Sequence, residues 1–184
     1  TLQYYPNLNQ LLPAGFFDDS LEPGVFDYKE DFFCTPIFKI LHRFNELKDS
    51  KKPFVVILNT GSYSPIHLGH IQMMESAYEA LSEKYTVLGG YFSPSHDKYV
   101  SQKYSGTAAY HADARIDLCE NLIYGHPYLM IDPWEARYND VPINFTNVII
   151  HLKRLLSKYI SAPVQVAYVY GSDNAGFGWS FVKE

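Results

Sequence analysis

The chain has 184 residues, with 15 Lys+Arg against 20 Asp+Glu for a formal net charge of −5, and 47% of its residues are hydrophobic. That length suits one domain with a sizeable core, and the composition excludes global disorder. The acidic balance argues against broad capture of nucleic acid, and no apolar run is long enough to span a bilayer. Two cysteines, Cys34 and Cys119, make neither a disulfide framework nor a zinc motif, so a reducing, cytoplasmic compartment is expected.

The first thirty or so residues mix aromatics with acids, as in Phe16-Phe17-Asp18-Asp19 and Asp31-Phe32-Phe33, with Pro6, Pro13 and Pro23 between them. No period of 2 or 3.6 is sustained, which reads as an irregular arm that packs on a body or a partner. Thr35-Pro36 then offers an N-cap and a proline at the first helical position, and Ile37, Leu41, Phe44 and Leu47 keep one helical face apolar until Pro53. Residues 1–50 thus form an N-terminal extension with one helix.

From Phe54 strand and helix alternate. Phe54-Val55-Val56-Ile57-Leu58 is a continuous apolar run, as in a strand buried on both faces. A loop from Thr60 to Pro65 leads to a helix ending near Ser82. Tyr85 to Phe92 is a second strand, with Gly89-Gly90 where a side chain would obstruct a neighbour. Thr107 can cap a helix whose positions Ala112, Ile116, Cys119 and Leu122 are apolar, and Gly125 closes it. Tyr128 to Ile131 is a third strand. Pro142 opens a helix with Phe145, Ile149, Leu152, Leu156 and Tyr159 on one face, and Val164 to Tyr170 is a fourth strand. The fold class is α/β: a Rossmann-like parallel sheet flanked by helices, with right-handed crossovers.

In such a sheet ligands bind outside the carboxyl ends of the strands. The loop after the first strand reads Asn59-Thr60-Gly61-Ser62-Tyr63-Ser64-Pro65-Ile66-His67-Leu68-Gly69-His70. It matches neither the Walker loop nor the Gly-x-Gly-x-x-Gly pattern. Gly61 permits a tight turn, Ser62 and Ser64 supply hydroxyls, and Gly69 leaves room for a phosphate or an adenine ring. His67 and His70, three apart at a helix N-terminus, can face one side. With the helix dipole they suit a polyphosphate and the charge that builds as a phosphoryl bond breaks. Taken by themselves, the two histidines could simply cap the helix. The zinc-protease spacing is absent, and no residue is assigned to a metal.

This segment resembles the HxGH signature of the nucleotidyltransferase superfamily, and the fit to nicotinamide-nucleotide adenylyltransferases is close. Ser93-Pro94 with downstream Lys98 and Lys103, Asp132-Pro133-Trp134-Glu135, and Gly171-Ser172-Asp173 resemble three further motifs of that family, in the same order. The resemblance implies adenylyl transfer from ATP to nicotinamide mononucleotide or nicotinic acid mononucleotide, assisted by Mg2+, giving NAD and pyrophosphate. His67, His70 and Lys98 would then be catalytic, and Gly61, Ser62, Gly69, Lys103 and Asp173 would bind ATP. Trp134, Glu135 and Ser62 would bind the nicotinamide nucleotide. Each has an ordinary alternative: a solvated lysine, a packed tryptophan, a turn aspartate. Arg115, at mid-helix, is either a surface ion-pair partner or an anchor of the loop carrying the site.

The family also carries a late Ser/Thr-rich segment with an arginine, which is not found before Glu184. Residues 51–184 are therefore expected to be a nucleotidyltransferase-type domain incomplete at its C-terminus, in a fragment of a longer protein. Two other readings stay open: a nucleotidyltransferase with a different phosphorylated acceptor, and a non-catalytic nucleotide-binding or interaction module. Expected partners are small-molecule nucleotides, with no nucleic acid or membrane. Self-association or another contact would run through the aromatic arm.

Overall fold

A computed structural model describes residues 34–104, 109–138 and 141–171, and the described chain up to Val169 forms one compact unit. The elements run α1 (Phe38–Leu47), β1 (Phe54–Gly61), α2 (Leu68–Ser82), β2 (Thr86–Pro94), α3 (Asp97–Lys103), α4 (Ala112–Leu122), β3 (Leu129–Ile131), α5 (Trp134–Arg137), α6 (Phe145–Tyr159) and β4 (Val164–Tyr168). The four strands form one parallel sheet in the order β3-β2-β1-β4. This is the expected Rossmann-like α/β arrangement. No described helix is long and apolar enough to cross a membrane.

The apolar run of β1 explains its central place. Val55, Val56, Ile57 and Leu58 are each 0–1% exposed, and burying one such side chain stabilises the fold by about 1.5–3 kcal/mol. Both neighbours of β1 run parallel to it, β2 from Phe54↔Thr86 to Gly61↔Pro94 and β4 from Phe54↔Val164 to Leu58↔Tyr168. The chain steps from β1 to β2 to β3, then crosses to the far side of β1. That reversal opens a crevice beyond the carboxyl end of β1, where open α/β sheets bind ligands.

The paired glycines of β2 are there for close packing. A Cβ on Gly89 would lie 2.9 Å from the Tyr128 carbonyl and 3.1 Å from Ile40 of α1. One on Gly90 would lie 2.6 Å from Ile57 Cγ1 and 3.0 Å from Leu129 Cδ2.

Several boundaries differ from the sequence reading. α1 begins at Phe38 with Ile37 as its N-cap, an apolar side chain that cannot cap, and the Thr35 hydroxyl expected in that role is engaged by Asp132. β1 runs on to Gly61 and β2 to Pro94, since their parallel pairing persists beyond the apolar run. Lys98 and Lys103 stand on a short helix, α3, where a loop was expected. α4 starts after His111, and α6 starts after Asn144 and not at Pro142. Thr107, the arm before Cys34, and Asp173 lie outside the described residues.

Candidate active site

The turn from β1 to α2 holds the two histidines. Ser62 is buried, Tyr63 follows at φ 43°, and the Ser64–Pro65 bond is cis. Tyr63 is anchored by its phenol, which donates to the Asn59 carbonyl at 2.9 Å and reaches the Asn59 side-chain oxygen. Its ring meets Phe92 edge-on at 5.5 Å and His70 edge-on at 5.2 Å. The tyrosine therefore packs, and what it braces is an imidazole of the motif.

α2 opens with a reciprocal cap. The His67 side chain accepts from the His70 N–H, and the His67 N–H donates to His70 Nδ1 at 3.2 Å. The two rings lie 3.9 Å apart at 40°. Capping and a shared face are thus one arrangement. Because Nδ1 of His70 accepts, the proton of its neutral ring belongs on Nε2. A Cβ on Gly69 would lie 3.1 Å from the His67 ring, and one on Gly61 would lie 2.9 Å from the Tyr63 ring. Each glycine makes room directly for a motif side chain, Gly69 for the His67 ring and Gly61 for the Tyr63 ring.

Arg115 ties this turn to the end of β2. It is 0% exposed, so it is a buried anchor, and its ion-pair partner Asp97 is the partly exposed member. Its guanidinium donates to the carbonyls of Ser62 at 2.7 Å, Ser95 at 2.6 Å and Tyr110 at 3.0 Å, and to Asp97 Oδ1 at 2.9 Å. The Asp97 carboxyl lies below the usual carboxylate range: burial pushes it up, but Arg115, the Ala112 N–H and His111 outweigh that. The Ser95 N–H also donates to the Gly61 carbonyl at 2.9 Å, closing the ends of β1 and β2 together.

Lys98 is exposed in the first turn of α3, beside His96, whose Nδ1 accepts from the Lys98 backbone N–H at 3.1 Å. Lys103 is exposed in the last turn, about 7–8 Å further along the helix axis, its ammonium 5.8 Å from the Tyr104 ring centroid. The two lysines are therefore not brought to one point.

At the end of β3 the acids are buried. Asp132 is 0% and Glu135 4% exposed, and burial pushes their carboxyls up to about 6 and about 8. Asp132 Oδ1 accepts from the Thr35 hydroxyl at 2.7 Å and from the Trp134 N–H at 3.1 Å. Trp134 is 3% exposed and lies flat against His151, ring centroids 3.9 Å apart at 3°. Thr35 and His151 are residues the motif reading missed. The signal for His151 was an imidazole inside the apolar stripe of α6, among Val148, Leu152 and Leu155.

Four buried polar atoms at these strand ends make no hydrogen bond within the described protein: Ser62 Oγ, Ser93 Oγ, Asp132 Oδ2 and Glu135 Oε2. Buried polar groups are normally satisfied; the other two such atoms among the described residues are Tyr138 Oη and Arg43 Nε. Among the described residues, no group of three or more His, Cys, Asp or Glu side chains gathers to hold a metal ion.

The cytidylyltransferase-like family profile matches residues 58–172, from the last residues of β1 to beyond β4. The chain belongs to the cytidylyltransferase-like family. Within that family it is similar to the nicotinamide/nicotinic acid mononucleotide adenylyltransferases. It is 39% identical over 99 residues to adenylyltransferase 1 of Saccharomyces cerevisiae, covering 52% of this chain and 23% of the relative. It is 33% identical over 126 residues to the Arabidopsis thaliana enzyme, covering 66% and 50%. It is 32% identical over 114 residues to adenylyltransferase 2 of Xenopus tropicalis, covering 61% and 35%. The matched part thus spans half or less of each relative's length.

Proposed function

We propose that the protein transfers an adenylyl group from ATP to nicotinamide mononucleotide or nicotinic acid mononucleotide, forming the dinucleotide and releasing pyrophosphate. The observation that carries this reading is the paired His67 and His70 at the N-terminus of α2, in the turn that leaves the carboxyl end of β1 at the switch point of the sheet. The similarity to mononucleotide adenylyltransferases supports the choice of acceptor.

In this reading a 5′-phosphate oxygen of the mononucleotide attacks the α-phosphorus of ATP. The bond from that phosphorus to the bridging oxygen breaks, and the electron pair leaves with pyrophosphate. No protein nucleophile is needed, so the chain's work is positioning and charge stabilisation. The Nε2–H of His70, the His67 ring and the positive end of α2 meet the charge that builds on the phosphate oxygens. Gly69 leaves room for the His67 ring and Gly61 for the Tyr63 ring that packs on His70, and Ser62 Oγ is a donor for either nucleotide. Lys98 and Lys103 supply cations for the ATP phosphates, and Asp173, outside the described residues, is assigned to ATP on the family resemblance alone. Trp134 and Glu135 belong to the acceptor, the latter as a carboxyl that stays largely protonated at neutral pH and can donate as well as accept.

Mg2+ is held by hard oxygen ligands, whereas the described residues of the histidine turn offer imidazoles and hydroxyls. They do not make a magnesium site by themselves, and no step here runs through the ion. Cys34 and Cys119 form no disulfide, which suits a reducing compartment such as the cytoplasm.

The test is to incubate the protein with ATP, Mg2+ and each mononucleotide, and to measure dinucleotide and pyrophosphate. His70→Ala is expected to lose the activity. A His70→Ala variant with the wild-type rate would overturn the assignment. One observation favours a second reading: Trp134 is stacked on His151 and tilted against Tyr138 at 5.0 Å, so a nicotinamide ring meets only the part of the indole that those two rings leave. A competition assay across phosphorylated acceptors decides that point. If another acceptor wins, the acceptor is wrong while the adenylyl transfer stands.

A further inference from the structure

Thr35 lies upstream of residues 58–172, the stretch the family profile matches, yet it is fastened to the acceptor end of the crevice. It is 4% exposed, and its hydroxyl donates to Asp132 Oδ1 at 2.7 Å and lies 3.0 Å from His151 Nε2. The next residue is held too: the Pro36 carbonyl accepts from the Tyr91 hydroxyl at 2.6 Å. These two residues therefore join β2, the end of β3 and α6.

The hydrogen count fixes the direction of each bond. A threonine hydroxyl carries one hydrogen, and it is spent on Asp132. The bond to His151 must then run the other way, with Nε2–H of the imidazole donating to Thr35 Oγ1. His151 is buried, and burial pushes it down to about 4, so near neutral pH its ring carries one proton, fixed on Nε2. That ring is the one lying flat on Trp134. The Trp134 N–H donates to the same Asp132 oxygen that Thr35 uses. Trp134 is thus fixed at its backbone through Asp132 and at its ring face through His151, with one hydroxyl joining the two.

We propose that Thr35 is a positioning residue for the acceptor nucleotide: through Asp132 and His151 it fixes the Trp134 indole against which the base of the mononucleotide is set. This rests on the functional reading above and adds to it a residue from outside the matched family core. Valine has nearly the shape of threonine but neither donates nor accepts. Thr35→Val leaves the His151 Nε2–H without its acceptor and Asp132 with one donor fewer, in a place closed to water.

The experiment measures KM for the mononucleotide and for ATP separately, and mononucleotide affinity by calorimetry, in wild type, Thr35→Val and Thr35→Ser. Thr35→Val is expected to raise KM and Kd for the mononucleotide on the order of tenfold or more. KM for ATP should stay within about twofold, and Thr35→Ser should restore wild-type values. Hydrogen exchange of the 132–138 segment should be faster in Thr35→Val and normal in Thr35→Ser. If Thr35→Val fails to fold, His151→Phe keeps a flat ring under Trp134 without the donor, and it should raise the mononucleotide KM in the same way.

A folded Thr35→Val with wild-type mononucleotide affinity overturns the proposal, as does an equal loss for both substrates. Should the unsubstituted protein transfer nothing, the functional reading fails by itself. The Thr35 link then stands or falls on the exchange of the 132–138 segment.

Discussion

Removing the Arg115 guanidinium is the sharpest test of how the site is held. Arg115→Met keeps the aliphatic stem and takes away donors to four acceptors. Two of these, the Ser62 and Ser95 carbonyls, belong to residues 6% exposed and gain no water in exchange. Leaving a buried acceptor unmet costs about 1–3 kcal/mol each, so these two account for about 2–6 kcal/mol. The Asp97 carboxylate is 40% exposed and rehydrates, so it adds little. Burying no charge at all returns part of the loss. A net destabilisation of about 2–4 kcal/mol remains, which for a chain of this size lowers Tm by roughly 5–15 °C. Thermal unfolding followed by circular dichroism measures it. Arg115→Lys should fall between, since an ammonium cannot reach four acceptors in a fan. Arg115→Met with a Tm within about 2 °C of wild type would refute the reasoning, because the carbonyls would then have found other donors.

Two further outcomes follow from the same structure. Glu135 goes from an ordinary 4.5 to about 8 in the folded state, so the native protein keeps a proton that the unfolded chain has released. Unfolding therefore releases a proton between those values, while His151, pushed down from 6.5 to about 4, takes one up below 6.5, so stability should fall most clearly as pH rises from about 6.5 to about 8. Urea titrations across that range measure the slope, and Glu135→Gln should flatten it; an unchanged slope would place the titration elsewhere. Gly90→Ala puts a Cβ within 2.6 Å of Ile57 and should destabilise by about 1–3 kcal/mol. Denaturant midpoints check this, and a neutral result would mean that Ile57 has another rotamer available.

The layout of the sheet is legible in the sequence because it depends on local signals. Short apolar runs such as Val55 to Leu58, separated by amphipathic stretches, are enough to read buried parallel strands and their crossovers. The histidine turn is legible for the same reason, since His67 and His70 find each other within one helical turn. What holds the site is not local. Arg115 meets its carbonyl partners Ser95 and Ser62 across 20 and 53 residues, and Thr35 meets His151 across 116. A sequence shows that such residues are polar but not what they will be buried against. Trp134 is the instructive case: its place after β3 can be read from the chain, whereas the imidazole that covers one face cannot. Thr35 misleads for a related reason, since a threonine before a proline and a helical stripe has the local form of a cap. Its hydroxyl goes to Asp132, where a buried carboxyl needs it more than an exposed helix start does.

The strand order also has a bearing on how binding and folding are coupled. β1 receives its second neighbour only when β4 docks, pairing Phe54 with Val164 across most of the described chain. Closing so long a span costs entropy before any contact offsets it. The β4 side of the crevice exists only once that strand is paired with β1, so the crevice is complete only in the assembled sheet. A nucleotide seated there binds only the fully assembled unit, and by mass action it stabilises that whole unit and not one loop.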